Sequence, residues 1–77
     1  MSRTEFYAAL DEILEAPSGT VRGSETLAEL EGWDSLAVIS FMAMVDERLG
    51  IGLALKNLEK CANVEDLVCL LGDAVSR

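Results

Sequence analysis

Histidine is absent from this chain, and proline occurs once, at Pro17. Without histidine the commonest general base near neutral pH is missing. Only two cysteines are present, Cys61 and Cys69, with no CxxC spacing. No zinc set can be assembled from them. Only Phe6, Tyr7, Trp33 and Phe41 are aromatic, so aliphatic side chains must fill most of the core. No apolar run approaches the roughly 20 residues that span a bilayer, and no signal-peptide pattern is found. A membrane span is therefore not expected, and a reducing cytoplasm is the expected compartment. In that compartment both cysteines are expected as free, buried thiols. Basic residues are scarce too, 6 against 14 acidic ones, for a net charge of −8. Such a surface is repelled by nucleic acid and by anionic membranes. Its natural partners carry basic patches, and attraction to them weakens with salt.

What is present suffices for one small domain over residues 1–77, with 51% apolar residues. A domain of this size buries only about 60% of its unfolded surface, so its core must be efficient. The apolar spacing predicts an all-α bundle of three main helices and one short one. The first helix is expected over Arg3 to Glu15, opened by a Ser2/Glu5 capping box and stopped by Pro17, Ser18 and Gly19. Phe6, Leu10, Ile13 and Leu14 form its apolar stripe, with Tyr7 on the flank. A long loop to Trp33 follows, rich in Gly, Ser, Thr and Glu, and must be pinned. Val21, Leu27, Leu30 and Trp33 are the available pins, with a turn of helix near Thr26 to Leu30 capped by Ser24. The second helix is expected over Ser35 to Leu49, with Asp34 as N-cap and Gly50 ending it. Val38, Phe41, Met42, Val45 and Leu49 make its core face. A short helix is expected near Leu55 to Lys60. Asn63 caps the last helix, whose apolar face is Val64, Leu67, Val68, Leu71 and Val75.

The chemistry-bearing element is Gly32-Trp33-Asp34-Ser35-Leu36. It sets one serine hydroxyl at the start of an amphipathic helix, where unpaired backbone N–H groups and the helix dipole favour a phosphate. No histidine stands by to activate that serine, and no acid–base pair, activated nucleophile or metal cluster can be assembled elsewhere. The chain is therefore expected not to be an enzyme, and Ser35 to be a residue that another enzyme modifies. A second apolar stripe on the same helix, Leu36, Ile39 and Ala43, ends in Asp46 and Glu47. With the core face already filled, that stripe is expected to face partners.

The whole pattern resembles the acyl carrier proteins, the small phosphopantetheine-bearing domains of fatty acid and polyketide synthesis. The likeness covers the first-helix stripe, the long loop with Leu27 and Leu30, and Asp34-Ser35-Leu36. It continues through the acidic end of the second helix to Asn63-Val64-Glu65-Asp66-Leu67. The resemblance implies that Ser35 carries 4′-phosphopantetheine, delivered from coenzyme A by a Mg²⁺-dependent phosphopantetheinyl transferase. It implies that Asp34 helps present the serine and the metal to that enzyme. It also implies that Leu36, Ile39 and Ala43 touch partner enzymes while Asp46 and Glu47 meet their Arg and Lys residues. Those partners would include acyl-loading and acyl-consuming enzymes, met by a monomeric carrier. The chain departs from many fatty-acid carriers at Ser40, where they have an acid, and at Trp33, where they have a small residue. Trp-Asp-Ser-Leu is more similar to stand-alone carriers of specialised pathways.

Two other readings remain open on the sequence: an aminoacyl or hydroxyacyl carrier, and an acidic helical interaction domain with no prosthetic group. All three share one physical consequence. An excess of eight negative charges on a small domain repels itself, and salt screens that repulsion. The melting temperature is expected to rise on adding millimolar Mg²⁺ or moderate NaCl near neutral pH, as followed by circular dichroism.

Overall fold

The computed structural model describes residues 1–75. Four helices follow in order: α1 (Arg3–Ile13), α2 (Ser35–Leu49), α3 (Leu55–Glu59) and α4 (Val64–Leu71). Single 3₁₀ turns lie at Leu27–Glu29 and Gly72–Ala74. Three main helices and one short one make the all-α bundle that the apolar spacing predicts. No strand occurs among the described residues. None of their helices is long and apolar enough to cross a membrane.

The helix starts follow local side-chain chemistry. Ser2 Oγ accepts from Glu5 N–H at 3.1 Å, and the Glu5 carboxylate accepts from Ser2 N–H at 3.1 Å, closing the capping box of α1. Asn63 Oδ1 accepts from Asp66 N–H at 2.8 Å. The Asp66 carboxylate accepts in return from the N–H groups of Ala62 and Asn63. At the far end of α2, Gly50 takes φ 68° in the left-handed region, and its N–H donates to Asp46 O at 3.0 Å.

The end of α1 differs from expectation. It stops at Ile13, and Glu15 lies outside it at φ 56°. Ala16 N–H donates to Asp11 O at 2.9 Å and Glu15 N–H to Glu12 O at 3.1 Å. This pair of bonds is a Schellman cap, with Glu15 in the position glycine usually takes. The cap turns the chain before Pro17 is reached, so proline is not the stop signal.

The core forms around Phe41, which is fully buried. Its ring meets Phe6 edge-on at 6.0 Å and Trp33 at 6.0 Å. Leu10, Leu14, Val45, Val64, Leu67 and Leu71 close round it. On α2 the innermost residues are Ala37, Phe41 and Val45, while Val38, Met42 and Leu49 are half-buried. Val75 is buried as expected, yet it stands beyond α4, because Gly72 breaks that helix at φ 58°.

The long loop is held down in three ways. Val21 and Leu27 are buried in the core. Thr26 pairs with Asn63 in an isolated antiparallel bridge, through Leu27 N–H to Ala62 O and Val64 N–H to Glu25 O, both at 3.0 Å. That pairing keeps Thr26 extended, so the 3₁₀ turn starts at Leu27 with Thr26 as its cap residue, and Ser24 does not cap it. The third hold is Asp11, only 4% exposed on α1. Its carboxylate accepts from Gly19 N–H at 2.9 Å and from Val21 N–H at 2.8 Å.

The cysteines also depart from expectation. Both are free, but Cys69 is exposed and Cys61 only half-buried. The buried stripe of α4 runs through Val64, Leu67, Val68 and Leu71, which turns Cys69 to the opposite side. Partial burial, with the nearby Asp66 charge, pushes the Cys61 thiol pKa up.

Replacing Asp11 strands two backbone donors under the loop. Asp11→Ala should lose about 2–4 kcal/mol in urea unfolding, and Asp11→Asn, which keeps one acceptor oxygen, should lose less. Equal losses for the two variants would mean that the accepted bonds are not what holds the loop.

Candidate functional site

The site is assembled by a turn that brings the end of α1 against the start of α2. Gly32 adopts φ 91°, and a Cβ placed there would meet Leu14 O at 3.0 Å. Both the conformation and the close approach demand glycine. Trp33 then turns inward onto Phe41, and Trp33 N–H donates to Leu30 O at 3.3 Å. Trp33 thus anchors the loop at the residue before Asp34.

Asp34 is extended, at φ −127° and ψ −172°, and caps α2. Its Oδ1 accepts from Ala37 N–H at 2.9 Å, and its carbonyl accepts from Val38 N–H at 2.9 Å. Of the first four N–H groups of α2, two are therefore satisfied. The other two belong to Ser35 and Leu36 and donate to no acceptor among the described residues. Ser35 is exposed, the first residue of the helix, with these N–H groups beside it. The arrangement is a surface hydroxyl at the positive end of a fifteen-residue helix. No histidine stands beside it, since the chain has none, and the adjacent Asp34 carboxylate accepts from the Ala37 N–H. A phosphodiester on Ser35 Oγ suits it: the anion gains the dipole and the two N–H groups, and no core packing is disturbed.

Further along α2, Leu36 is 72% exposed and Ile39 62% exposed. Ala43, Asp46 and Glu47 are also exposed. All five expected partner-facing residues therefore lie on the surface side of the helix. The structure adds a residue that the sequence reading did not single out. Leu55, at the start of α3, is 53% exposed. A five-residue helix is too short for its apolar spacing to show which side faces out. Between α2 and α3 lies a mainly apolar groove of about 450 Å³, lined by Leu27, Trp33, Val38, Leu55, Leu58 and Cys61 among others.

A family model described as the phosphopantetheine attachment site matches residues 5–71. The chain belongs to that family. It is a phosphopantetheine-bearing carrier domain, not a catalyst, and its prosthetic group is 4′-phosphopantetheine held covalently. This removes the reading as an interaction domain with no prosthetic group. No curated protein and no solved structure matches the carrier domain at the significance required.

The turn before the site can be tested against a glycine of the same conformation. Gly19 has φ 89° with open space around it, whereas Gly32 also abuts a backbone carbonyl. Gly19→Ala should cost about 1 kcal/mol, the strain of the conformation alone. Gly32→Ala should cost clearly more, about 2–3 kcal/mol, because the cap at Leu14 must shift as well. Equal melting temperatures for the two variants would show that the contact with Leu14 is not a constraint.

Proposed function

We propose that Ser35 is the attachment residue and that the domain holds acyl intermediates as thioesters for enzymes of fatty acid, polyketide or related biosynthesis. The observation that carries this reading is the exposed Ser35 hydroxyl at the N-terminus of α2, directly after its Asp34 cap and inside the matched residues. The arm supplies a terminal thiol, which forms and releases the thioester. The chain supplies the placement. In the attachment step the Ser35 oxygen bonds to the pantetheine-side phosphorus as the pyrophosphate bond of coenzyme A breaks, adenosine 3′,5′-bisphosphate leaves, and the serine proton passes to the transferase. The base and Mg²⁺ belong to that enzyme, so an unactivated serine suffices. Asp34 keeps the first turn formed through Oδ1, and its Oδ2 has no partner among the described residues, which leaves it available to the transferase-bound metal.

The exposed stripe Leu36, Ile39 and Ala43, continued by Asp46 and Glu47, is proposed as the face that partner enzymes read. It offers apolar contacts at the Ser35 end and negative charge further on, which suits enzymes with basic docking patches. The apolar groove between α2 and α3 supports acyl cargo over aminoacyl cargo, since Glu59 is its one charged residue. The free thiols of Cys61 and Cys69 fit a reducing cytoplasm, where the carrier is proposed to act as a monomer.

The test is intact-mass analysis after incubation with coenzyme A, Mg²⁺ and a broad-specificity phosphopantetheinyl transferase. The wild type should gain one arm and one thiol beyond Cys61 and Cys69, and should then accept acyl groups as thioesters. Ser35→Ala should melt within about 2 °C of the wild type, because alanine is well tolerated in a first helical turn, and should gain no mass. An unmodified wild type, or a modified Ser35→Ala, would refute the assignment.

A further inference from the structure

We infer that the groove between α1 and α2 is a second docking surface. It would receive, from an enzyme that acts at Ser35, a Lys or Arg side chain set beside an apolar one. The inference rests on Ser35 as the attachment residue and adds a surface that continues round α2 beyond Leu36, on the side of Leu36 away from Ile39.

The groove has a volume of about 560 Å³. Its floor is apolar: Ala9, Leu14 and Ala37 are buried, and Ile13 and Met44 half-buried. Asp34 and Leu36 both line it, so the two neighbours of Ser35 form part of its wall. Across from them, on the last turn of α1 and in its cap, stand Glu12 and Glu15. Both are exposed, and neither is in an ion pair among the described residues. Both acids therefore stand across the groove from the two residues that flank Ser35 in the chain.

Charge along the groove is not uniform. Arg48, near the end of α2, lines it as well. Because the end of α1 meets the start of α2 through Gly32 and Leu14, Arg48 stands toward the beginning of α1, where its charge reaches Glu5. The groove is thus negative where Ser35 lies and positive where Arg48 lies. A cationic side chain is drawn to the first end and repelled from the second, so the pair of ends sets the direction in which an enzyme lies across the helices. Leu36 belongs both to this groove and to the outward stripe with Ile39. A partner seated on Leu36 consequently touches two adjacent faces of α2, the outward stripe and the wall of the groove.

Glu15 allows a test free of folding damage. It occupies a left-handed position in the α1 cap, where glycine is the less strained residue. Glu15→Gly should therefore keep or raise the melting temperature while removing one groove charge. Glu12→Lys and Glu15→Lys reverse the charges, and Glu29→Lys, an exposed site outside the groove, matches their change in net charge.

Each protein is assayed as the apo form with coenzyme A, Mg²⁺ and a transferase that modifies the wild type, with carrier concentration and NaCl varied. Glu12→Lys and Glu15→Lys should raise the KM for the carrier about five-fold or more at low salt, with kcat held within about two-fold and a flattened salt dependence. Glu15→Gly should raise KM by less, with no loss of melting temperature, and Glu29→Lys should stay near wild type. An unchanged KM in both groove reversals, or an equal rise in Glu29→Lys, would overturn the inference while leaving the attachment assignment standing. A wild type that no transferase modifies would remove both together.

Discussion

The buried ring of Phe41, held between Phe6 and Trp33, sets the rotation of α2, and the functional surface follows from it. A helix turns by about 100° per residue. With Phe41 pointing inward, Ala37 and Val45 fall about 40° to either side of it and are buried. Leu36, Ile39, Ala43 and Asp46 fall about 140° or more away, on the solvent side. Ser35 lies at an intermediate angle, where the hydroxyl is free and the backbone is still fixed by the Asp34 cap. One large ring, present in a chain with few aromatic residues, thus decides which side of α2 is left exposed. Trp33 couples the same ring to the loop just before the site, so burial of the core and placement of Ser35 are one event.

The loop before Ser35 poses the main entropic problem of the fold. Ordering each residue costs on the order of 1–2 kcal/mol, and few of the loop residues are buried deeply enough to offset it. The chain answers with contacts at three places: Asp11 on α1, Gly32 against Leu14 in the cap of α1, and the Thr26–Asn63 bridge before α4. The bridge has a second effect. Glu25 accepts the N–H of Val64, the first residue of α4, while Asn63 accepts the N–H of Asp66. The start of the last helix and the middle of the loop are therefore satisfied together, and neither is free to fray without exposing the other.

Those links explain what could be read from the sequence and what could not. The limits of α2 are legible because Asp34 and Gly50 act on their own neighbours, within one helical turn. The capping residues Ser2 and Asn63 are legible for the same reason. The end of α1 is not, because a Schellman cap normally advertises itself with glycine and here the position holds Glu15. Asp11 looks like one acid among many on an exposed helix. Its partners are eight and ten residues away, a spacing that no local rule connects. Ser24 reads as a cap until the bonds Leu27 N–H to Ala62 O and Val64 N–H to Glu25 O hold Thr26 extended opposite Asn63. Cys69 reads as buried by composition, but its place beside the stripe of α4 turns it outward. At the site, Ser35, Asp34 and the exposed stripe are visible in the pattern. The groove formed with α1 is invisible, because it exists only once two helices lie together.

The distribution of charge separates what stabilises this domain from what it presents. The recorded ion pair is bidentate, Arg3 to Glu65 at 2.8 Å for both bonds, and it ties α1 to α4 on the side away from Ser35's cap. Arg3 also donates to the Tyr7 hydroxyl at 3.2 Å, so one of six basic residues both braces α1 and ties it to α4. Both lysines, Lys56 and Lys60, stand on or just after α3. The acids Glu12 and Glu15 in the groove, and Asp46 and Glu47 at the far end of α2, are left without cationic partners among the described residues. Exposed pairs would have added little, typically under about 1 kcal/mol each, so leaving these acids unpaired sacrifices little stability. Their value lies in the field they make. On the proposed reading, these carboxylates attract a basic enzyme before contact, and the exposed apolar side chains Leu36 and Ile39 pack against it once water is excluded. The domain needs no catalytic group of its own because its contribution is to be found, held and released.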